Sequence, residues 1–168
     1  MHLLQCNKWN DFIIPRCQSH LLKYTLNPND AHEHGRTSWH HSAEMGHVAP
    51  ALLLLEGAEI DHLDSFGCTP LFIAAEERHF GPVRLFAEAN ATRDQADNNE
   101  NIFGGCSGQC PFWRATPLYA AAVMGHLHIV RFLVDAGAAI DQAANHGLTP
   151  VLVAAANGHF DIVWDILT

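Results

Sequence analysis

The chain has few basic residues. Its 168 residues include 9 Lys and Arg against 18 Asp and Glu, so the formal net charge is −9. Nucleic-acid binding relies on clustered Lys and Arg that neutralise phosphates and release their counterions. Anionic membrane surfaces attract basic segments for the same electrostatic reason. We therefore expect neither nucleic acid nor a membrane surface as a partner.

The sequence also lacks a long hydrophobic stretch. The longest apolar run covers about residues 48–55, whereas a membrane-spanning helix needs about 20 apolar residues. The first residues have neither the basic start nor the apolar core of a signal peptide. We expect no membrane insertion, and a location inside the cell, in the cytoplasm with the nucleus as the alternative.

The chain lacks an even set of cysteines. The five cysteines are Cys6, Cys17, Cys68, Cys106 and Cys110. A small secreted disulfide scaffold typically has an even number of cysteines at characteristic spacings. We therefore expect reduced thiols.

What the chain does contain is an internal repeat. Three copies of one pattern, Thr-Pro followed by apolar residues and paired alanines, begin at Thr69, Thr116 and Thr149, and a divergent copy begins at Thr37. The interval is 33 residues from Thr116 to Thr149 and 32 from Thr37 to Thr69. The interval of 47 residues from Thr69 to Thr116 indicates an insertion of about 14. A histidine lies ten residues after each threonine, at His47, His79, His126 and His159.

Each copy predicts a helix, a tight turn and a second helix. The Thr hydroxyl can cap the first helix, and Pro suits the first helical position because its missing N–H is not needed there. Left-handed glycines are predicted to end this helix in three copies, at Gly46, Gly125 and Gly158. In the second copy Arg78 takes that place, and Asn90 takes the place of the glycine that ends the second helix. We therefore predict that repeat two is the most strained of the four.

These elements resemble the ankyrin repeat family, because Thr-Pro-Leu, Ala-Ala, Gly-His and Gly-Ala recur in order and in phase at a 33-residue period. The resemblance implies an all-α solenoid of stacked helix-turn-helix units with β-hairpin-like finger loops. The predicted ranges are 35–66 for repeat 1, 67–99 for repeat 2, 100–113 for an inserted finger loop, 114–146 for repeat 3 and 147–168 for a partial repeat 4. Residues 1–34 form an N-terminal segment, interpreted as a degenerate cap. The chain is either complete or a fragment of a longer protein.

Two clusters invite a metal hypothesis. The first is the histidine group His32, His34, His40, His41 and His47. The register gives His40 and His47 structural positions, and a zinc site needs about four ligands. The second cluster, Cys106 and Cys110 in the insertion, supplies only two. We predict no metal and no cofactor, and keep a metal- or redox-responsive insertion as the alternative function.

No group of residues has the context of a catalytic site. Gly104-Gly105-Cys106-Ser107-Gly108 imitates a nucleophile elbow. That motif works on a strand-to-helix turn beside a base and an oxyanion hole, whereas this segment lies between helical repeats. We predict that the protein is not an enzyme.

The resemblance places partner binding on the finger loops and on the exposed side of the first helices, which form a concave face. The residues mapped there are Glu44, Met45, Phe66, Glu76, Glu77, Phe112, Trp113, Val123, Met124, Asn145, His146 and Leu148. The larger apolar members would form one patch beside the three glutamates, a composition typical of protein interfaces. Alternatively, Phe112 and Trp113 fold back over the base of the insertion. We predict a monomeric, non-catalytic protein–protein interaction module or scaffold; the alternative is the targeting fragment of a longer protein.

Overall fold

The computed structural model describes residues 29–31, 33–48, 59–96, 115–145 and 147–168. These ranges contain helices and turns but no strand. The α-helices are α1 Ser38–Met45, α2 Pro70–Glu76, α3 Phe80–Glu88, α4 Pro117–Val123, α5 Leu127–Asp135, α6 Pro150–Ala156 and α7 Phe160–Leu167, and a 3-10 turn covers Glu33–Gly35. The predicted all-α class is confirmed.

Threonine caps the first helix of three repeats, as the sequence predicts. The Thr69 hydroxyl accepts a hydrogen bond from the N–H of Phe72 at 3.1 Å. The Thr116 hydroxyl accepts one from Tyr119 at 3.2 Å, and Thr149 caps α6 in the same way. A proline occupies the first turn in each case. The Thr-Pro pair therefore sets where α2, α4 and α6 begin.

Repeat one has no proline at this position and is capped by a histidine instead. The N–H of Thr37 donates to Nδ1 of His40 at 3.1 Å. The other ring nitrogen, Nε2, donates to the carbonyl of Cys68 at 3.1 Å. Nδ1 must be unprotonated to accept this bond, so the neutral ring fits and the charged ring does not. Burial lowers the pKa of His40 from 6.5 to about 4.

Left-handed residues end the helices at the predicted places. The φ angles of Gly46, Gly125 and Gly158 are 72°, 75° and 80°. Arg78 and Asn90 adopt φ angles of 64° and 61° at their places in repeat two. Because a Cβ disfavours this conformation, repeat two carries backbone strain that repeats three and four avoid with glycine.

The first helices α1, α2, α4 and α6 lie side by side in chain order, and the second helices α3, α5 and α7 form a second layer against them. The core lies between the layers. Its largest fully buried apolar side chains include Trp39, Leu71, Phe72, Ile73, Phe86, Leu118, Ile129, Leu133 and Ile162. The alanines of the repeat pattern, such as Ala75 and Ala122, are buried and let neighbouring first helices approach closely.

Histidines at the start of each second helix tie it to the preceding repeat. Each Nε2 donates to a backbone carbonyl of the previous first helix over 3.0 Å. The pairs are His79 with Glu44, His126 with Glu76, and His159 with Val123. Burial lowers the pKa of His126, which favours the neutral ring. These three histidines therefore have a structural role: they join each second helix to the preceding repeat.

A second set of links joins successive loops. Each link is a side-chain oxygen that accepts a hydrogen bond from a backbone N–H in the next loop, at 2.7–2.8 Å. The pairs are Asn29 with Glu59, Asp61 with Thr92, and Asp94 with Ala139. This ladder was not predicted from the sequence, although its acceptors recur at the repeat interval.

Candidate functional site

The finger between repeats one and two is held by a buried carboxylate. Asp64 Oδ1 accepts hydrogen bonds from the N–H groups of Phe66 and Cys68, both at 2.9 Å. Its other oxygen accepts from Nε of Arg36 at 3.3 Å. Nη1 of Arg36 reaches a Glu44 carboxylate oxygen at 3.1 Å. Asp64 thereby holds the finger beside Arg36, which lies just before the start of α1.

The finger between repeats three and four has the same backbone turn, with the buried Ala144 in place of the buried carboxylate. The N–H of Ala144 donates to the carbonyl of Leu148 at 3.0 Å, and the N–H of Gly147 donates to the carbonyl of Ala144 at 2.8 Å. A left-handed glycine closing such a turn is typical of a short β-hairpin loop. Asn145 and Leu148 are exposed on it. Both described fingers are thus hairpin-like.

The carboxyl-terminal ends of the first helices present a row of side chains. Met45, Glu77 and Met124 each lie eight residues after the capping threonine of their repeat. All three are exposed, and the two methionines keep about half of their surface accessible. Because α1, α2 and α4 are neighbours, these residues follow one another across the stack. We call Met45, Glu77 and Met124 the methionine row.

The residues that precede the methionine row differ in exposure. Glu44 and Val123 are partly exposed. Glu76, expected on the binding face, is only 5% exposed. Helix α2 has a first helix on each side, α1 and α4, which leaves this side chain little access to solvent. Glu76 therefore contributes its backbone carbonyl to a histidine link rather than a surface carboxylate.

The predicted aromatic patch is not assembled by the described residues. Phe66 is partly buried against the core and lies beside the ring of His34, with 5.4 Å between ring centroids. Phe112, Trp113 and His146 lie outside the described residues. Among the mapped residues that the structure describes, the exposed apolar side chains at the ends of the first helices are Met45 and Met124, with the partly exposed Val123 beside them.

The predicted reduced state of the cysteines does not hold for Cys68. This residue is buried at the base of the first finger and is disulfide-bonded. The other four cysteines lie outside the described residues. Composition alone does not reveal such a pair, because residues distant in sequence meet only through folding. Within the ranges that the structure describes, no group of three or more His, Cys, Asp or Glu could hold a metal ion.

An open groove runs along the second helices, on the side of the molecule opposite the first helices. Phe80, His128, Arg131, Phe132 and Asp135 line it. The rings of Phe80 and Phe132 meet edge to face, with 5.4 Å between centroids. A small-molecule site normally encloses most of its ligand. This open groove offers no such enclosure, so the exposed ends of the first helices are the better candidate site.

The side-by-side helix pairs, hairpin fingers and repeated histidine links define an all-α repeat solenoid. A family model described as ankyrin repeats (3 copies) matches residues 14–101 and again residues 96–168. The chain belongs to the ankyrin repeat family, and the predicted resemblance is confirmed. A comparison with curated protein sequences gives no significant match. In the described part of the chain, no helix combines the length and apolar character needed to cross a membrane.

Proposed function

We propose that this chain is a non-catalytic interaction module that binds a protein partner through the methionine row and the neighbouring finger loops. Ankyrin repeats generally mediate protein–protein interactions. The observation that carries the proposal is the exposure of Met45, Glu77 and Met124 at equivalent places on three adjacent helices. Methionine is unbranched and polarisable, so it adapts to varied apolar partner surfaces.

The scaffold beneath this row is rigid, which favours binding. The histidine links hold neighbouring repeats together within one turn of the methionine row. A preorganised surface loses little conformational entropy when a partner binds. Glu44 and Glu77 add carboxylates beside the methionines. The matching partner is a protein segment that offers apolar side chains to the methionines and basic side chains to the glutamates.

The test is a peptide-display selection against the purified chain, followed by titration of selected peptides against variants. We expect selected peptides to combine apolar and basic residues. The Met45→Ala and Met124→Ala double variant should weaken binding by at least about tenfold, because each truncated anchor costs on the order of 1 kcal/mol. Phe160→Ala is the matched control, since Phe160 is an exposed apolar residue on α7, in the layer of second helices and outside both the row and the fingers.

The double variant must retain the helical circular dichroism of the parent for the comparison to count. Equal peptide affinity for parent and double variant would place the binding surface elsewhere. Equal loss in Phe160→Ala would show a general effect of surface truncation. Selected peptides without basic residues, insensitive to Glu77→Lys, would contradict the electrostatic part of the proposal.

A second candidate function, a redox-responsive element, is supported by the disulfide of Cys68. Its formation takes two protons and two electrons from two thiols, with glutathione disulfide as the electron acceptor. We propose Cys106 or Cys110 of the insertion as the partner. A lasting disulfide is typical of oxidising compartments, so the cytoplasmic location remains a prediction.

Peptide mass mapping after alkylation without reduction tests this candidate. The expected result is one crosslinked peptide that contains Cys68 and a cysteine of the insertion, lost on treatment with reduced glutathione. A crosslink to Cys6 or Cys17, or full alkylation of Cys68, would contradict it. Cys68→Ser is the control, because it removes one partner and should leave the insertion cysteines open to alkylation.

A further inference from the structure

The two internal methionines of the chain both belong to the methionine row. The chain contains three methionines, and the third is Met1. Met45 and Met124 occupy the same register position, eight residues after Thr37 and Thr116, and are 51% and 49% exposed. Neither belongs to the hydrophobic core. Both thioethers are therefore on side chains that solvent reaches, at equivalent places at the ends of α1 and α4.

This register position accepts polar side chains. Its occupants in repeats two and four are Glu77 and Asn157, and both are exposed. In each case the backbone N–H donates to the carbonyl four residues earlier, at 2.9 and 3.1 Å, and the same bond at Met124 measures 3.1 Å. The helix thus ends in the same way whether the side chain is apolar or polar. A polar group at this place is compatible with the fold.

Methionine has a chemistry that glutamate and asparagine lack. Hydroperoxides oxidise an accessible thioether to a sulfoxide, which makes an apolar side chain polar and which methionine sulfoxide reductases reverse. We propose that Met45 and Met124 form a reversible oxidation site that switches off partner binding by the methionine row. The switch rests on the proposed function, whereas the oxidation itself requires only that the two side chains be exposed.

The oxidation step needs no other group of the protein. A lone pair of the sulfur attacks one oxygen of hydrogen peroxide, the S–O bond forms as the O–O bond breaks, and the second oxygen leaves as water with both protons. The sulfur loses two electrons and the peroxide gains them. Reduction of the sulfoxide by two thiols returns the thioether and gives a disulfide and water.

Oxidation changes the surface of the row and leaves its scaffold intact. A sulfoxide oxygen accepts hydrogen bonds, so burying it against an apolar partner without a donor costs free energy. Helix α2 lies between α1 and α4, so the two sulfoxides would flank Glu77 and make the whole row polar. The links of His79 and His126 beneath the row join imidazole rings to backbone carbonyls and contain no sulfur.

Hydrogen peroxide treatment of the full chain, followed by peptide mass mapping, tests the site. We expect Met45 and Met124 each to gain one oxygen in the folded chain at a rate within about threefold of the rate in urea, because oxidation follows exposure. The helical circular dichroism should stay unchanged. Protection of either methionine by more than about tenfold relative to urea would overturn the inference. Loss of the helical signal on oxidation would also overturn it.

Peptide titration tests the switch. The chain that carries both sulfoxides should bind a peptide selected on the parent at least about tenfold more weakly. Methionine sulfoxide reductases A and B should restore binding. The Met45→Leu and Met124→Leu double variant is the matched control, because leucine keeps the volume and apolar character of methionine without the sulfur. It should keep the peptide affinity within about threefold of the parent and be insensitive to peroxide.

The control variant retains Met1 and all five cysteines, so it separates oxidation of the row from oxidation of every other sulfur in the chain. An equal peroxide effect in this variant would assign the response to those sulfurs and overturn the inference. Unchanged affinity in the doubly oxidised parent would overturn it as well. In either case, weaker binding by the Met45→Ala and Met124→Ala variant would leave the proposed function intact, whereas parent-like binding by that variant would overturn the proposed function itself.

Discussion

Repeats one and two differ from repeats three and four in how their turns and fingers are held. In the first half, buried polar side chains take part: His40 caps α1, and Asp64 organises the first finger with Arg36. The same half places the non-glycine residues Arg78 and Asn90 in left-handed backbone. The first half thus combines strained turns with buried polar networks.

Repeats three and four have the same turn geometry, with glycine and alanine at the equivalent positions. Gly125 and Gly158 end the first helices at no steric cost, and Ala144 occupies the position of Asp64 in the second finger. The backbone hydrogen bonds of the two fingers nevertheless agree to within 0.1 Å. The repeat register therefore sets the backbone of both fingers, and the two fingers differ in the side chains that hold this backbone: a buried Asp with Arg36 in one, and Ala144 in the other.

Asp64→Ala gives the first finger the side chain of the second. We expect the free energy of unfolding to fall by about 3–4 kcal/mol, because two N–H donors and the Arg36 guanidinium lose a buried charged acceptor. Urea unfolding followed by circular dichroism measures the change as a lower midpoint. Asp141→Ala is the control: Asp141 is exposed, accepts no hydrogen bond among the described residues, and should shift the midpoint little. A similar shift in both variants would remove the special role of Asp64.

The buried histidine makes the first half sensitive to acid. His40 is held neutral with a pKa of about 4, against 6.5 in the unfolded chain. As the pH falls below 6.5, His40 therefore binds a proton in the unfolded state but not in the folded state. The contribution of His40 is fully present above pH 6.5 and is lost progressively toward pH 4. The shift corresponds to a loss of about 3 kcal/mol.

Unfolding midpoints in urea across this pH range measure the slope. His40→Gln should be less stable at neutral pH and should flatten the slope by up to one proton, since Gln does not titrate. His126, whose pKa burial also lowers, adds a slope of the same sign that His40→Gln leaves in place. An unchanged slope in His40→Gln would show that another group controls the acid response.

The smallest expected effect concerns the left-handed turn of repeat two. Arg78→Gly should raise the free energy of unfolding by about 1 kcal/mol, because glycine adopts a positive φ without the Cβ clash. Gly125→Arg, the reverse exchange in repeat three, should lower it by a similar amount or more. A Cβ on Gly125 would lie 2.5 Å from Cε1 of His159. Equal and negligible effects in thermal unfolding would show that neither turn stores strain.

Most of the helical architecture was predictable from local signals. Thr69 and Thr116 cap helices where Thr-Pro predicts them, because a capping hydroxyl and a restricted φ act within one turn of chain. The left-handed positions, including Arg78, followed from aligning the repeats. These features depend on residues close in sequence, so a single sequence is enough to place them.

The site was less predictable. Met45, Glu77 and Met124 are exposed as mapped, but the burial of Glu76 depends on α2 having neighbours on both sides. The regular spacing of the acceptors Asp61 and Asp94 was a usable signal for the loop ladder. Their partners are backbone N–H groups, which every residue except proline has, so the residue types do not identify them. The expected aromatic contribution of the insertion lies outside the described residues.

The sequence by itself determined the repeat period, the helix starts and the turn positions, because capping, proline geometry and left-handed backbone are local properties. Only the tertiary structure decided which equivalent residues are buried. Tyr119 and Leu152 occupy the same register position, yet Tyr119 is 3% exposed and Leu152 is 52% exposed. The difference arises because a following helix pair covers one and none of the described helices covers the other. Burial depends on neighbours in space, and those neighbours decide which of the repeated positions stay exposed.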